Sequence, residues 1–203
     1  MSSLLKPLPD AVMVDGRGFP IYTDYRDWIE FHLAMQDTES GEMAKIIFAL
    51  SMFKEETPEN IEAAIGGLID FMLCGESRSG EESVSPGKRY YGYDFEADSK
   101  LIYAAFVQVY NIDLYDVSEL HWWKFMALLS GMPDNTRIAQ IMSIINQDTS
   151  EMQPKERLKH ERLVQQLVAG RKEHDSARAP KSLEEYKAVM MEKIQKIKTE
   201  TES

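Results

Sequence analysis

The chain has 203 residues, 43% hydrophobic and 28% charged, proportions ordinary for a folded domain and too apolar for wholesale disorder. No run approaches the ~18 consecutive apolar residues of a membrane-spanning helix. The opening Met1-Ser2-Ser3-Leu4-Leu5-Lys6-Pro7 lacks an export-signal layout, and the lone Cys74 excludes an internal disulfide or a cysteine metal cluster, so a cytosolic compartment is expected.

The net charge of −11 is uneven: residues 1–154 carry 11 Lys/Arg against 25 Asp/Glu, and residues 155–203 carry 12 against 9. An acidic body repels phosphate backbones and anionic lipid, so neither nucleic acid nor a membrane is expected as a partner. Of 20 aromatic residues only Tyr186 lies beyond 154. The core is therefore placed in a body spanning 1–154, and 155–203 reads as a charged helical extension.

Residues 11–22 read as a small β-hairpin, with Asp15-Gly16-Arg17-Gly18 as its turn cluster and Pro20 marking an edge strand. Such a hairpin is marginal alone and must pack on something. Asp24 is the expected N-cap of a helix over 25–36, with Tyr25, Trp28, Ile29 and Met35 on its inner face. A second helix is expected over 42–53, with Met43, Ile46, Ile47, Leu50 and Phe53 at helical spacing. Thr57-Pro58 reads as cap and first residue of a third, whose stripe is Ile61, Ala64, Ile65, Leu68, Ile69 and Met72. Gly66 and Gly67 lie inside it at roughly 1 kcal/mol each relative to alanine, so a close approach by a neighbouring helix is expected there.

Residues 75–89 read as a polar loop. Asp94 is the expected cap of a helix to about Tyr110, with Phe95, Ile102, Ala105, Phe106 and Val109 inward. The next, roughly Val117 to Ser130, is apolar nearly all round (Leu120, Trp122, Trp123, Phe125, Met126, Leu128, Leu129), which places it at the centre of a bundle. After Gly131-Met132-Pro133, Asp134 is the expected cap of a helix carrying Ile138, Ile141, Met142 and Ile145. Lys155–Val168 is a charged helix, 170–180 a linker, and Ser182 leads an amphipathic helix with Leu183, Tyr186, Met190, Ile194 and Ile197 on one narrow stripe. The fold class is mainly α: a helical bundle with an N-terminal hairpin and a separable C-terminal helix.

Catalytic constellations are missing from the sequence. The glycines fit no phosphate-binding pattern, and His32, His121, His160 and His174 include no pair at metal-ligand spacing. His121 reads as an amphipathic residue at a bundle edge rather than a base, and Cys74 as a small buried hydrophobe rather than a nucleophile. Asp94, Glu96 and Asp98 read as helix-start carboxylates rather than metal ligands. No catalytic residue, cofactor or metal is expected. Eleven aromatics fall between Tyr90 and Phe125. Too few Lys and Arg interleave them for nucleic-acid stacking, which leaves core packing, with a protein-binding groove as the alternative. Twelve methionines suit adaptable contact surfaces. The Leu183–Ile197 stripe either folds back onto the body or docks into a partner's groove.

Tyr93-Asp94-Phe95-Glu96-Ala97-Asp98, then Leu101-Ile102-Tyr103-Ala104-Ala105-Phe106, resembles the central signature of the bacteriophage "gene product fifteen" family. So do Tyr110-Asn111-Ile112-Asp113-Leu114, Leu120-His121-Trp122-Trp123-Lys124-Phe125, and Leu128-Leu129-Ser130-Gly131-Met132-Pro133 with Thr136 and Ile141-Met142. The hairpin followed by Thr23-Asp24-Tyr25-Arg26 resembles the family's opening. The resemblance implies a protein of long-tailed phages or prophages of Gram-positive bacteria, similar to tail assembly chaperones. Such a chaperone binds the tape-measure protein, assists tail-tube protein assembly in the host cytoplasm, is not an enzyme and is absent from the mature virion. The alternative is a structural minor tail protein retained in the virion. The stripe Leu183, Tyr186, Met190 and Ile194 is the expected protein-binding surface, and self-association is left open.

Overall fold

Asp15 and Gly16 both take left-handed backbone conformations (φ 50° and 81°), the requirement of a tight two-residue hairpin turn whose twist matches the strands. The turn is thus two residues long, and Arg17 and Gly18 join the second strand. In a computed structural model, which describes residues 4–37, 40–75 and 92–169, strand β1 is Ala11–Val14 and β2 is Arg17–Pro20, antiparallel with Val14 opposite Arg17. Seven helices follow among the described residues: α1 Tyr25–Gln36, α2 Glu42–Leu50, α3 Ile61–Met72, α4 Ser99–Tyr110, α5 Trp122–Ser130, α6 Arg137–Asn146 and α7 Pro154–Val168. The fold is mainly helical with a small N-terminal hairpin. The expected 75–89 loop lies almost wholly outside the described residues, and the 170–180 linker and the helix led by Ser182 lie entirely outside them.

The described residues form two compact units. One comprises 4–75 and 119–126, and the other 92–118 and 127–169. In the first, alternation along β1 buries Val12 and Val14 and exposes Met13. The hairpin packs on α3. An added Cβ at Gly67 would lie 2.2 Å from Val12 Cγ1, whereas one at Gly66 would meet nothing within 4 Å. The close approach expected at the glycine pair is therefore real at Gly67 alone, and a strand makes it instead of a helix. Asn60, not Thr57, caps α3: its Oδ1 accepts from Ala63 N at 3.1 Å, and its Nδ2 donates to the Asp15 carboxylate. One amide thereby joins the hairpin turn to the start of α3.

Asp24 caps α1 as the sequence predicts, accepting from Arg26 N at 3.1 Å. The inner face is Tyr25, Trp28, Phe31 and Met35, with Ile29 only half-buried. Helix α2 stops at Leu50, and Met52 and Phe53 are buried in the turn beyond it. Lys45 is buried with its Nζ 3.3 Å from Met35 O, in the last turn of α1. A cation there satisfies a carbonyl at the negative end of a helix while its stem packs inside. With Lys45, Ile46 and Ala49 inward, the expected stripe is rotated, and Met43 and Ile47 face solvent.

In the second unit Asp94 does not start a helix. Its Oδ1 accepts from Glu96 N and Ala97 N, and Asp98 Oδ2 accepts from Asp94 N. A turn closes on these bonds, and α4 begins only at Ser99. Ile102, Ala105 and Phe106 form the buried face of α4, and α4 packs on α6. Thr136, not Asp134, caps α6: its hydroxyl donates to Pro133 O and accepts from Ala139 N. Gly92 lies against α6, where a Cβ would come within 2.8 Å of Met142 Cα. His160 of α7 is buried and its Nε2–H donates to Ile144 O at 2.8 Å, satisfying a carbonyl in the last turn of α6.

Gly67→Ala is expected to destabilise the protein by about 1–3 kcal/mol, because Val12 is short and β-branched and cannot swing away. Gly66→Ala is expected to be neutral or to stabilise by up to about 1 kcal/mol. Urea denaturation of both variants checks this, and equal effects at the two positions would refute the strand contact as the reason for Gly67.

Candidate protein-binding surface

The residues singled out for chemistry are engaged with backbone. His121 stands just before α5, where Nδ1 accepts from Trp123 N at 3.1 Å and Nε2–H donates to Pro9 O at 3.0 Å. Those two bonds fix one neutral tautomer and use both ring nitrogens, so His121 works as a helix cap. Burial lowers its pKa below the usual 6.5, reinforced by Lys124 and opposed by the Pro9 carbonyl, Glu119 and Asp10. Cys74 is half-buried at the end of α3 with φ 58°. Cys74 N donates to Phe71 O and Gly75 N to Asp70 O, the pairing of a left-handed helix stop. Asp94 and Asp98 are occupied in the turn described above. Among the described residues no three His, Cys, Asp or Glu converge as a metal would require. Leu183, Tyr186, Met190 and Ile194 lie outside the described residues.

Large apolar side chains stand exposed on several ordered elements, Met13 on β1 and Leu158 and Leu163 on α7 among them, and two sets are clustered. On α2, Met43 and Ile47, one turn apart, are 49% and 62% exposed. On the second unit the group is built around Asp113. Helix α4 ends at Asn111, whose left-handed conformation (φ 52°) stops the helix. Asp113 then folds the chain into a turn: its Oδ1 accepts from Tyr115 N at 2.9 Å, and its carbonyl from Asp116 N and Val117 N. Its Oδ2 accepts from the Tyr103 hydroxyl at 3.1 Å. One carboxylate thus positions both tyrosines, whose ring centroids are 4.9 Å apart. Tyr115 is 79% exposed, and Val107 is exposed on α4. The Asp113 bond raises the Tyr103 pKa, with smaller contributions from burial and from the charge of Asp113, so the phenol stays a hydrogen-bond donor. The sequence reading missed this group. Its signal is an aromatic inside the turn-forming run Asn111-Ile112-Asp113-Leu114-Tyr115-Asp116, where no helical stripe takes it into the core.

A family model, bacteriophage Gp15 protein, matches residues 4–170. The chain belongs to the bacteriophage Gp15 family. It is therefore a phage protein, as the Tyr93–Asp98 and Leu120–Phe125 strings indicate. No curated protein and no solved structure matches it. Among the described residues of this Gp15-family chain, no helix is long and apolar enough to cross a membrane.

Because the folded-state pKa of His121 lies below its unfolded value of 6.5, its contribution to stability is present above that pH. It is lost as pH falls through the lowered value. Wild type is expected to lose stability between about pH 7.5 and pH 5, and His121→Gln to lose less over that interval. At neutral pH His121→Gln itself is expected to cost about 0.5–2 kcal/mol, as for other caps. Urea midpoints at the two pH values measure both effects, and parallel pH profiles would eliminate the titration of His121 as their source.

Proposed function

We propose that this Gp15-family protein is a non-enzymatic tail assembly chaperone. In the host cytoplasm it binds the tape-measure protein, shields apolar helix faces along that long client, and yields them to tail-tube subunits. The observation that carries the reading is the display of large apolar side chains, Met43, Ile47 and Tyr115, on ordered elements of a phage protein. Isolated exposed apolar residues are ordinary, but a pair one helical turn apart and a tyrosine pair held on a carboxylate are contact surfaces in kind. His121, the side chain best suited to acid–base chemistry, has both ring nitrogens committed to backbone groups.

A chaperone must bind many similar stripes and release them. Several small adaptable contacts do this better than one rigid pocket, because each is weak and can be displaced separately. The sequence of residues 183–194 supplies a further apolar stripe among lysines and glutamates, which suits the same task.

Changing Leu183, Tyr186, Met190 and Ile194 together to serine in the full chain is expected to abolish co-purification with co-expressed tape-measure protein. Circular dichroism should meanwhile show the helical signal largely retained. Full recovery of the client by this variant would remove the stripe from the mechanism. Mass spectrometry of purified particles addresses the role itself: the protein is expected to be absent, and a stoichiometric signal would instead make it a structural tail component.

A further inference from the structure

Among the described residues, an arrangement that holds a cation in the first unit recurs in the second with no Lys or Arg over its rings. In the first unit the Arg26 guanidinium lies 4.8 Å from the centre of the Tyr25 ring, and its Nη1 is 3.0 Å from Asp24 Oδ1. A tyrosine face and a neighbouring carboxylate together hold one cation. The second unit assembles the same parts at Tyr103, Tyr115, Asp113 and Asp116. Among the described residues, no Lys or Arg lies over either of those two rings. Val107 and Ala104 extend the patch along the exposed face of α4.

We propose that Tyr103, Val107 and Tyr115, edged by Asp113 and Asp116, form a docking shelf for a helical segment of a partner protein presenting Lys or Arg beside apolar side chains. The cation takes the place over the tyrosines that Arg26 takes over Tyr25, and the apolar neighbours lie along Ala104 and Val107. Three features favour this occupant. The edge is acidic, so a cationic segment gains charge complementarity and an anionic one is repelled. The Tyr115 backbone is held before binding by the Asp113 turn and its ring lies against Tyr103, so less freedom remains to be lost. The shelf runs beside a helix, a surface into which a second helix packs side by side. The proposal rests on the reading of this protein as a binder of client helices, and it names the chemistry of the segment taken.

The test titrates the full-length protein into a fluorescein-labelled 18-residue helical peptide of leucine and lysine, followed by anisotropy, with a leucine–glutamate counterpart as control. The lysine peptide is expected to bind in a salt-sensitive manner and the glutamate peptide not to bind. Tyr115→Ser combined with Val107→Ser is expected to weaken binding at least tenfold, and Asp113→Asn combined with Asp116→Asn to flatten the salt dependence. Leu158→Ser combined with Leu163→Ser, exposed on α7 and part of neither contact group, should leave binding unchanged. Equal affinity of wild type and the Tyr115/Val107 variant overturns the shelf. So does a loss confined to the Leu158/Leu163 variant. Sedimentation showing that Tyr115→Ser converts a dimer to a monomer also overturns it, by making this face a contact between copies. The peptide is not the client. A protein that binds the peptide at the shelf but never recovers tape measure therefore keeps the shelf and loses the chaperone reading.

Discussion

The first unit depends on how its tryptophans discharge their indole N–H groups. Trp28 and Trp122 are buried, and a buried N–H left unpaired costs about 1–3 kcal/mol. Trp28 Nε1 donates to Tyr22 O at 2.9 Å, Trp122 Nε1 to Met72 O at 2.8 Å, and Trp123 Nε1 to Phe71 O at 2.9 Å. Phe71 and Met72 are in the last turn of α3, where helix carbonyls lack intrahelical partners, and the Phe71 carbonyl also takes the Cys74 N–H of the helix stop. The indoles need acceptors, and the helix end supplies them. The pairing holds the start of α5 against the end of α3, and ring contacts spread from it, with Phe71 4.5 Å from Trp28 and Tyr25 stacked on Phe125 at 4.8 Å. It also explains the abrupt stop of α3. Cys74 and Gly75 turn left-handed directly after the two carbonyls, and a Cβ on Gly75 would stand 3.0 Å from Trp123 Cη2.

The same junction shows where local sequence logic gives way. Val117 to Ser130 reads as one continuous helix, yet α5 begins at Trp122. Leu120 and His121 are extended because they pair with the chain entering α1. Tyr25 N donates to Leu120 O, Trp122 N to Thr23 O, and Leu120 N to the Asp24 carboxylate. Asp24 therefore serves two segments 96 residues apart, capping α1 with one oxygen and holding Leu120 with the other. Nothing in the spacing of 117–121 announces a partner so distant, so propensity alone extends the helix. The helix starts at Ser99 and Arg137 differ from the pattern for a more local reason. The Asp94 carboxylate closes a turn of its own, and Thr136, two residues after Asp134, accepts the capping bond. Interior stripes such as Ala64, Ile65, Leu68, Ile69 and Met72 were legible because burial follows helical period whatever the ends do.

The surface was less legible than the core, and for a physical reason. A periodic pattern assigns apolar residues to the inside, so Met43 and Ile47 read as core. The rotation of α2 that exposes them turns Lys45 inward beside Ile46 and Ala49, with its Nζ at Met35 O in the last turn of α1, a contact no pattern encodes. Conversely, Tyr103 sits among the apolar residues of α4 and Tyr115 among turn residues. Only the carboxylate of Asp113, bonded to both, brings the two rings together. The legible part of the candidate surface was compositional: an acidic body, many aromatics and methionines.

Those two exposed groups differ in what binding would cost. Tyr115 has few rotatable bonds, and a hydrogen-bonded turn already holds its backbone, so a partner meets a shape that exists beforehand. Met43 is unbranched and exposed on α2, and it adapts its thioether to whatever is laid on it, at the expense of freezing more torsions. A rigid acidic–aromatic shelf discriminates between segments by charge and shape, whereas a methionine–isoleucine pair tolerates variation among apolar stripes. On the proposed chaperone reading, a protein that holds a long, repetitive client needs selection at some places and tolerance at others, and placing the two properties on separate units would let one contact be lost while the other persists.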